Sequence, residues 1–272
     1  MINSKPKTKP ELIEYEGQDK IVPSHVLYHT LKAKNLDIAT IKFAPELPKT
    51  IALIDGFAPG ELIVLSGPTK NGKTLLAQTL LKNLADAGQK CLYFSYEVPP
   101  WQFLNQFEQP APLFFVPQEL HARKIDWFEE RVLEGVEKFG IKFIFIDHLH
   151  FLFDMAKVKN SSLEIGSYVR RLKSFAVQNS VVIVLLCHIT KTAPDQELSY
   201  NSLRDSSFIA QESDCVMLIR RAKSEMPPHR DAILFIEFHR RTGIWKEQVK
   251  LIKVGNYLQE KIEQTEEGFN GY

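Results

Sequence analysis

The sequence has little of what marks several large classes of protein. Its 3 cysteines, Cys91, Cys187 and Cys215, are widely spaced and form no CxxC pair, which excludes a disulfide framework and a cysteine-rich zinc site. It contains no apolar run near the ~18 residues that a membrane span requires. Residues 1–10 also lack the apolar stretch of a signal peptide. We therefore expect a cytoplasmic protein without a membrane partner.

The sequence also lacks an excess of either charge. Its 34 Lys and Arg residues face 33 Asp and Glu residues, which leaves a net charge of +1. This removes the general argument that a basic protein binds nucleic acid, but it does not describe how charge is distributed over the surface. With 272 residues, 44% of them hydrophobic and 25% charged, the chain has the composition of a folded globular protein of one to two domains.

The chain divides by pattern into three parts. Residues 1–49 combine a polar lead-in, a short helix expected over 24–34 and a proline-bearing linker at 43–49, so we predict a flexible N-terminal arm with a short linker helix. Residues 50–258 are predicted to form the folded core. Residues 259–272 are predicted to form an acidic C-terminal tail.

Within the core, short apolar runs alternate with amphipathic segments. This is typical of strands buried on both faces of a parallel sheet, with helices crossing between them. The predicted strands cover residues 61–66, 91–96, 142–147 and 181–187, and the predicted helices cover 73–87, 125–139 and 161–178. Three further runs, 214–220, 231–239 and 246–254, predict antiparallel strands at the C-terminal edge of the sheet. The predicted fold class is α/β.

The segment GPTKNGKT, from Gly67 to Thr74, matches the phosphate-loop pattern G-x-x-x-x-G-K-[ST]. It follows a predicted strand and opens a predicted helix, where backbone N–H groups can surround a phosphate. Lys73 is expected to contact the β- and γ-phosphates of ATP, and the Thr74 hydroxyl to bind Mg²⁺. The alternative is a glycine-rich turn with an exposed lysine. The predicted nucleotide-binding residues of this segment are Gly67, Pro68, Thr69, Lys70, Asn71, Gly72, Lys73, Thr74 and Leu75.

Two carboxylates end other predicted strands. Asp147 follows the apolar run FIFI, at the edge of a parallel sheet where ligands of α/β proteins bind, so it can complete a Mg²⁺ site beside Thr74. Glu97 follows the run CLYFSY, where it can polarise a water for attack on the γ-phosphate. The alternatives are a structural aspartate and a solvated loop glutamate.

The order of these motifs resembles the RecA-type motor domain of hexameric replicative helicases, both DnaB-like and phage primase-helicase. The matching segments are GPTKNGKT, FSYEVP, FIFIDHLHF, VVIVLLCHITK, LRDSSFIAQESDCVMLIRR and FHRRTG. The resemblance covers about residues 50–258, and the stretch from Leu203 to Arg221 is its most specific part. It implies a RecA-like P-loop NTPase core that uses ATP and Mg²⁺, here without the usual N-terminal domain.

The resemblance also implies roles for single residues. It makes Glu97 the catalytic base and Asp147 the metal carboxylate. It makes His188 a sensor of the γ-phosphate, as in the phage-type branch, with a capped strand-end histidine as the alternative. An arginine finger from a neighbouring subunit aligns with Arg240 by the phage pattern and with Arg241 by the DnaB-like pattern, and sequence does not separate the two.

Other positions are less distinctive. Arg221 and Tyr257 match residues that sandwich the adenine in the phage branch; an exposed arginine and a strand tyrosine are the alternative. Gln211 matches a glutamine that couples nucleotide state to the grip on DNA. His148 and His150 follow the metal carboxylate, but the sequence offers them no third metal ligand, so we interpret them as structural or phosphate-facing.

Two segments, 153–162 and 190–204, correspond to the central-channel loops of the family. Lys157, Lys159 and Lys191 are the predicted contacts to phosphates of single-stranded DNA. Between residues 157 and 223 there are ten basic and six acidic residues, and ten minus six gives a local excess of four positive charges. A solvated helix face is the alternative explanation of that excess.

The first functional hypothesis is an ATP-dependent oligomeric motor on single-stranded DNA, a DnaB-like replicative helicase core. The resemblance implies a ring, a hexamer by the family pattern, with primase or a loader as replication partners. The alternative is a RecA-like ATPase that is not a helicase, acting as a recombination accessory protein or a nucleotide-gated regulator. A nucleotide-binding scaffold without turnover is disfavoured because the expected catalytic residues are all present.

Overall fold

The structure is a computed structural model that describes residues 21–33, 40–121, 124–152, 161–189, 199–200, 206–222 and 231–261. The chain divides into two compact units, Met1–Ala39 and Thr40–Tyr272. The first unit contains helix α1 (Ser24–Ala33). No helix in the described part of the chain is long and apolar enough to cross a bilayer.

The described residues of the second unit form an eight-stranded sheet with helices on both faces. The helices are α2 (Pro48–Ile54), α3 (Lys73–Asp86), α4 (Pro100–Leu104), α5 (Ile125–Phe139), α6 (Ser161–Asn179) and α7 (Ser206–Glu212). The strands are β1 (Leu62–Ser66), β2 (Cys91–Ser95), β3 (Phe143–Asp147), β4 (Val182–Leu186), β5 (Cys215–Arg221), β6 (Asp231–His239), β7 (Ile244–Val254) and β8 (Tyr257–Glu260). A 3-10 turn covers Leu149–Phe151.

The strand order is β2-β3-β4-β1-β5-β6-β7-β8. The first five strands in this order run parallel, and β6, β7 and β8 are added as antiparallel neighbours. This confirms the predicted fold class. The strand orientation at β5 differs in one respect from the expectation, because β5 runs parallel to β1 and antiparallel only to β6.

The sheet separates two hydrophobic cores. On β1, Ile63 and Leu65 face the core that includes α2 and α3, whereas Leu62 and Val64 face the core that includes α5 and α6. Every residue of the four strands β1 to β4 is buried. Burial on both faces explains why these strands read as continuous apolar runs instead of alternating patterns.

The segment before β1 is part of the sheet-bearing unit. Ile41 and Phe57 exchange backbone hydrogen bonds of 2.9 and 3.1 Å, and Leu47 is fully buried. The unit boundary at Thr40 therefore differs from the predicted core start at residue 50. The prolines and lysines of this stretch concealed its apolar contacts.

The C-terminal strand is tied to α2 by a carboxylate. Glu260, which lies within the predicted acidic tail, is the last residue of β8. Its Oε2 accepts the Lys49 N–H at 2.7 Å, and its Oε1 accepts both the N–H and the hydroxyl of Thr50 at 2.7 Å. Because the N-cap residue of α2, Leu47, offers no side-chain hydrogen bond, Glu260 supplies the cap from a distant part of the chain.

Removing this cap should destabilise the protein without affecting the phosphate loop. We expect Glu260→Ala to lower the free energy of unfolding by about 1–2 kcal/mol, because two backbone N–H groups of α2 lose their acceptor. Urea unfolding followed by circular dichroism measures the change. Glu247→Ala, at an exposed glutamate of β7, is the matched control. Equal stability of the two variants would show that Glu260 does not hold α2.

Candidate active site

The predicted phosphate loop joins the carboxyl end of β1 to α3. Gly67 has a φ of 151°, and a Cβ at this position would lie 2.2 Å from the carbonyl oxygen of Ile219 on β5, so no larger residue fits. Gly72 has a φ of 102° and is the N-cap of α3. The Asn71 Oδ1 accepts the Arg221 N–H at 2.8 Å, which gives the loop a second attachment to β5. The loop backbone is thereby held around a helix N-terminus, the arrangement that binds phosphate.

Lys73 directs its ammonium group back into this loop. The residue is buried, and its Nζ donates to the carbonyl oxygens of Gly67 at 2.9 Å and Pro68 at 3.0 Å. Burial lowers the pKa of Lys73, and the carboxylates of Glu97 and Asp147 oppose that shift. The loop therefore holds a cation where a bound phosphate would bring its oxygens.

Asp147 ends β3 and is only 2% exposed. Its Oδ2 accepts hydrogen bonds from the Thr74 hydroxyl at 3.2 Å and the Tyr93 hydroxyl at 3.0 Å. Burial and then the negative charge of Glu97 raise the pKa of Asp147 to about 6, against the opposing effect of the two hydroxyl donors and Lys73. An aliphatic hydroxyl beside a buried carboxylate is an oxygen donor set that fits Mg²⁺.

Glu97 follows β2, the neighbour of β3 in the sheet. Its backbone N–H and that of Tyr96 donate to the carbonyl oxygen of Asp147, at 3.2 and 2.8 Å. The Ser95 hydroxyl donates to the carbonyl oxygen of Val98 at 2.6 Å, which closes the turn. These bonds fix the backbone of Glu97, while its side chain is exposed and lines the same cleft as the phosphate loop.

His188 follows β4, the strand between β3 and β1. It is half-buried and lines the cleft, and its ring centroid lies 4.2 Å from that of His148. One potential ligand atom from each of Glu97, His148 and His188 lies within 4.8 Å of the other two. The structure thus brings the expected sensor, the expected base and the phosphate loop together at the carboxyl ends of four adjacent strands.

The cleft beside the phosphate loop has a volume of about 670 Å³. It is also lined by side chains that the sequence reasoning missed, namely Gln78, Asn105, Gln106, Lys253 and Asn256. Polar residues on helices, on turns and on an outer strand such as β7 carry no pattern that separates them from ordinary surface positions. Tyr93 was also missed, although a hydroxyl-bearing residue inside an apolar strand, two positions before its end, was a usable signal.

The two residues predicted to sandwich an adenine have different surroundings. Arg221 is exposed at the end of β5 and lines the cleft. Tyr257 begins β8, is 7% exposed, and has the Nζ of Lys82 5.4 Å from its ring centroid. Among the described residues, Arg221 therefore lies beside the phosphate loop, and Tyr257 is not part of the cleft lining.

The two candidate finger residues lie at the opposite ends of the strands from the phosphate loop. They follow β6, whose end pairs with the start of β5, so they are near the amino ends of the parallel strands. The Arg241 guanidinium donates to Glu61 Oε1 at 2.8 Å and to Asp55 Oδ2 at 3.1 Å. It also donates to the carbonyl oxygens of Ile54, the last residue of α2, and Gly56 in the turn that follows. Arg240 is exposed and donates to the carbonyl oxygen of Gln211. Gln211 thus lies beside Arg240, remote from the phosphate loop.

The remaining predicted DNA contacts, Lys157, Lys159 and Lys191, lie outside the described residues, as does most of both channel segments. The excess of four positive charges between residues 157 and 223 is also weaker evidence for DNA binding than the sequence indicated, because some of these basic residues are paired within the chain. Among those of the ten basic residues that the structure describes, three form ion pairs within the chain. The pairs are Arg170 with Glu212 at 2.7 Å, Arg171 with Glu129 at 2.7 Å, and Lys173 with Asp214 at 2.6 Å.

The candidate active site and the strand order of the sheet together define the class of protein. A phosphate loop after a central strand, a buried carboxylate beside its threonine and a glutamate on the next strand edge are the parts of a P-loop nucleotide-binding core of the RecA-like kind. The family model of the DnaB-like helicase C terminal domain matches residues 114–257, more than half of the chain. The chain belongs to this family.

Similar proteins agree with this assignment. The replicative DNA helicase DnaB of Haemophilus influenzae is 26% identical over 209 residues, and the match covers 61% of this chain and 43% of that helicase. A probable plasmid replicative DNA helicase of Chlamydia psittaci is 30% identical over 88 residues, 31% of this chain and 19% of that protein. The chain therefore spans less than half of the length of these curated relatives.

Two solved structures share the fold. The first is an ATPase domain, which superposes with a TM-score of 0.73 at 16% identity, over 88% of this chain and 98% of that one. The second is a DnaB-like replicative helicase, described with its interactions with primase, which superposes with a TM-score of 0.68 at 16% identity, over 89% of this chain and 67% of that one.

The raised pKa of Asp147 predicts a specific pH dependence of stability in metal-free buffer. The carboxyl has an ordinary pKa of 3.8 and a folded-state pKa of about 6, so the folded state binds more protons between these values. Stability should therefore fall as the pH rises from about 4 to about 6, by about 3 kcal/mol in total. Asp147→Asn should remove most of this loss, because an amide keeps the hydrogen bonds without the buried charge.

Urea unfolding at about pH 4.5 and about pH 8, with a chelator present, measures this difference. The Asp147→Asn variant should be the more stable protein at the higher pH and close to the parent at the lower pH. Asp126→Asn, at an exposed aspartate, is the control and should not change the difference between the two pH values. An Asp147→Asn variant that is less stable at both values would contradict the prediction.

Proposed function

We propose that this chain is the ATP-hydrolysing motor core of a ring-forming replicative DNA helicase that acts on single-stranded DNA in the cytoplasm. The observation that carries the proposal is the convergence of Lys73, Thr74, Asp147, Glu97 and His188 at one sheet edge. Membership of the DnaB-like helicase family supports assigning this reaction to a helicase motor. The relatives named replicative DNA helicase support the choice of helicase over another ATPase.

In the proposed reaction, a water attacks the γ-phosphorus of ATP in line with the bond to the departing ADP. Glu97 accepts a proton from that water as the new P–O bond forms and the bond to the β–γ bridging oxygen breaks. Lys73 neutralises charge on the phosphate oxygens, and His188 contacts the γ-phosphate from β4. Thr74 and Asp147 would hold Mg²⁺, which supplies positive charge against the phosphates when bound.

The proposed site needs a second copy of the chain. The phosphate loop lies at the carboxyl ends of the parallel strands and the finger candidates lie at the amino ends, separated by strands of roughly 17 Å. A head-to-tail arrangement places the finger candidates of one copy, at the amino ends of its parallel strands, against the phosphate loop of the next copy. Repetition of that contact closes a ring. A hexamer, and contacts with primase or a loader, belong to the same proposal.

Within this arrangement we assign the finger to Arg240. Arg241 is also exposed as a residue, but its guanidinium is bound to Glu61, Asp55 and backbone carbonyls of its own chain, and 27% of its side chain is exposed. Moving it into a neighbouring site would leave the buried Glu61 without its arginine. Arg240 is exposed, and within the described part of the chain its guanidinium has one carbonyl, that of Gln211, to release.

The proposed reaction is tested by ATP hydrolysis with and without single-stranded DNA. We expect DNA to raise the rate severalfold and ATP to drive separation of a forked duplex. Glu97→Gln should reduce the hydrolysis rate by about 10²–10⁴-fold and leave ATP binding intact, because the amide cannot accept the proton. Filter binding of labelled ATP and phosphate release measure the two properties.

Lys73→Ala is the control for ATP binding, since it removes the cation inside the loop. Hydrolysis that DNA does not stimulate, together with an intact forked duplex, would favour a nucleotide-gated regulator or a recombination accessory protein. Full hydrolysis by Glu97→Gln would remove Glu97 from the role of base.

The two arginines should behave differently when each is replaced by alanine. Arg240→Ala should reduce hydrolysis by about 10³-fold or more without a change in unfolding, because it removes only the charge offered to the neighbour. Arg241→Ala should destabilise the fold by about 3 kcal/mol, because it leaves Glu61 buried beside fewer donors. Thermal unfolding and phosphate release separate these effects.

A mixing experiment then tests whether the finger acts on a neighbouring subunit. Lys73→Ala and Arg240→Ala proteins should each be inactive, and a mixture should regain activity at sites that combine an intact loop with an intact finger. Restoration with a stably folded Arg241→Ala protein, and none with Arg240→Ala, would reverse our assignment. Native mass measurement reports whether the mixture assembles.

A further inference from the structure

Glu97, His148 and His188 form a cluster that the proposed hydrolysis uses only in part. They follow β2, β3 and β4, which are neighbours in the sheet, so their closeness is set by the fold. One potential ligand atom from each lies within 4.8 Å of the other two. The proposed reaction uses Glu97 and His188, but it gives His148 no task.

The chemistry of this cluster differs from that of the Thr74 and Asp147 pair beside it. Two imidazoles and a carboxylate are a mixed nitrogen and oxygen set, which suits Zn²⁺ and similar transition-metal ions, whereas a hydroxyl and a carboxylate suit Mg²⁺. Sequence reasoning alone found no third ligand for His148. The fold supplies two further ligands from separate strands.

The geometry is close to that of a bound ion. Zn²⁺ bound tetrahedrally at about 2.0–2.1 Å holds its ligand atoms about 3.4 Å apart, so the three atoms would have to approach one another by about 1.4 Å at most. Glu97 is exposed and both histidines are only half-buried, so side-chain rotation can supply this movement. Three protein ligands leave one tetrahedral position for water or a phosphate oxygen.

We propose that Glu97, His148 and His188 form a binding site for Zn²⁺ or a similar transition-metal ion, separate from the Mg²⁺ site. An ion held here occupies the Glu97 carboxylate, so that group can no longer accept a proton from water. Zn²⁺ should therefore inhibit ATP hydrolysis while ATP still binds. The metal site stands on the cluster itself, and only this inhibitory consequence rests on the proposed function.

Nearby charges favour a site of this kind over a purely acidic one. Lys73 interacts with both Glu97 and Asp147, so part of the local negative charge is already balanced. Neutral imidazole ligands add donor atoms without further anionic repulsion. A hard cation such as Mg²⁺ gains little from those nitrogens, which is the physical basis for the expected selectivity.

Equilibrium dialysis of the full chain against Zn²⁺ alone, without nucleotide, tests the site directly. We expect one equivalent of Zn²⁺ to bind, with millimolar Mg²⁺ unable to displace it. His148→Gln and His188→Gln should each weaken binding by about tenfold or more, since each removes one ligand. His121→Gln, at an exposed histidine stacked on Trp127, is the matched control and should bind like the parent.

Co²⁺ offers a second readout, because its visible absorption reports the geometry of its ligands. A tetrahedral spectrum should appear with the parent protein and with His121→Gln, and should be lost with His148→Gln. Circular dichroism checks that the variants remain folded. Binding that is the same in the parent and in both ligand variants would overturn the proposal, as would an absence of binding to the parent.

The inhibitory consequence is measured separately. Zn²⁺ should suppress hydrolysis by the parent, whereas His148→Gln should keep the parent rate without Zn²⁺ and resist inhibition. If the parent binds Zn²⁺ through this cluster but hydrolyses no ATP, the proposed function fails and the metal site stands. If the parent hydrolyses ATP but Zn²⁺ binds the parent and His148→Gln alike, the metal site fails and the proposed function stands.

Discussion

Asp147 joins three segments of the chain at the carboxyl edge of the sheet. Its side chain accepts hydrogen bonds from Thr74 on α3 and Tyr93 on β2, and its backbone carbonyl accepts the N–H groups of Tyr96 and Glu97. One residue, the predicted metal carboxylate, thereby positions both the threonine of the phosphate loop and the expected base. Burial and then the negative charge of Glu97 raise the pKa of Asp147 and outweigh the two hydroxyl donors and Lys73. A further positive charge beside the ionised carboxylate would therefore stabilise the site.

At the amino ends of the parallel strands lies a second buried carboxylate, Glu61, whose pKa is shifted in the opposite direction to that of Asp147. Burial raises the pKa of Glu61, but hydrogen bonds from His239, the Ala58 N–H and Arg241 outweigh it, so the net shift is downward. Glu61 immediately precedes β1, and the phosphate loop immediately follows β1. Strand β1, five residues long, thus connects Glu61, whose hydrogen-bond donors come from its own chain, to the phosphate loop, which can bind an external anion. Its length fixes the distance between these two sites.

The sequence predicted the sheet well because strands buried on both faces carry an unbroken apolar signal, and the phosphate loop because its spacing is set by the backbone geometry around phosphate. Contacts between distant segments had no such signal. The capping of α2 by Glu260, the clamping of Arg241 by Glu61 and the meeting of His148 with His188 depend on which strands become neighbours. The parallel pairing of β5 with β1 was missed for the same reason, since an apolar run does not indicate whether the neighbouring strand is parallel or antiparallel.

Arg240 contacts α7 through its side chain and the turn before β5 through its backbone. In the single chain its guanidinium is bonded to the carbonyl of Gln211, in the last turn of α7, and its backbone N–H donates to the Asp214 carbonyl at 2.8 Å. The backbone is therefore fixed while the side chain can change partner. In the proposed ring, the guanidinium would have to leave Gln211 to reach a nucleotide on a neighbouring copy, and this would free a carbonyl at the end of α7. In that proposed ring, nucleotide binding between copies would release the contact between Arg240 and α7, the helix that packs on α6 and leads into β5.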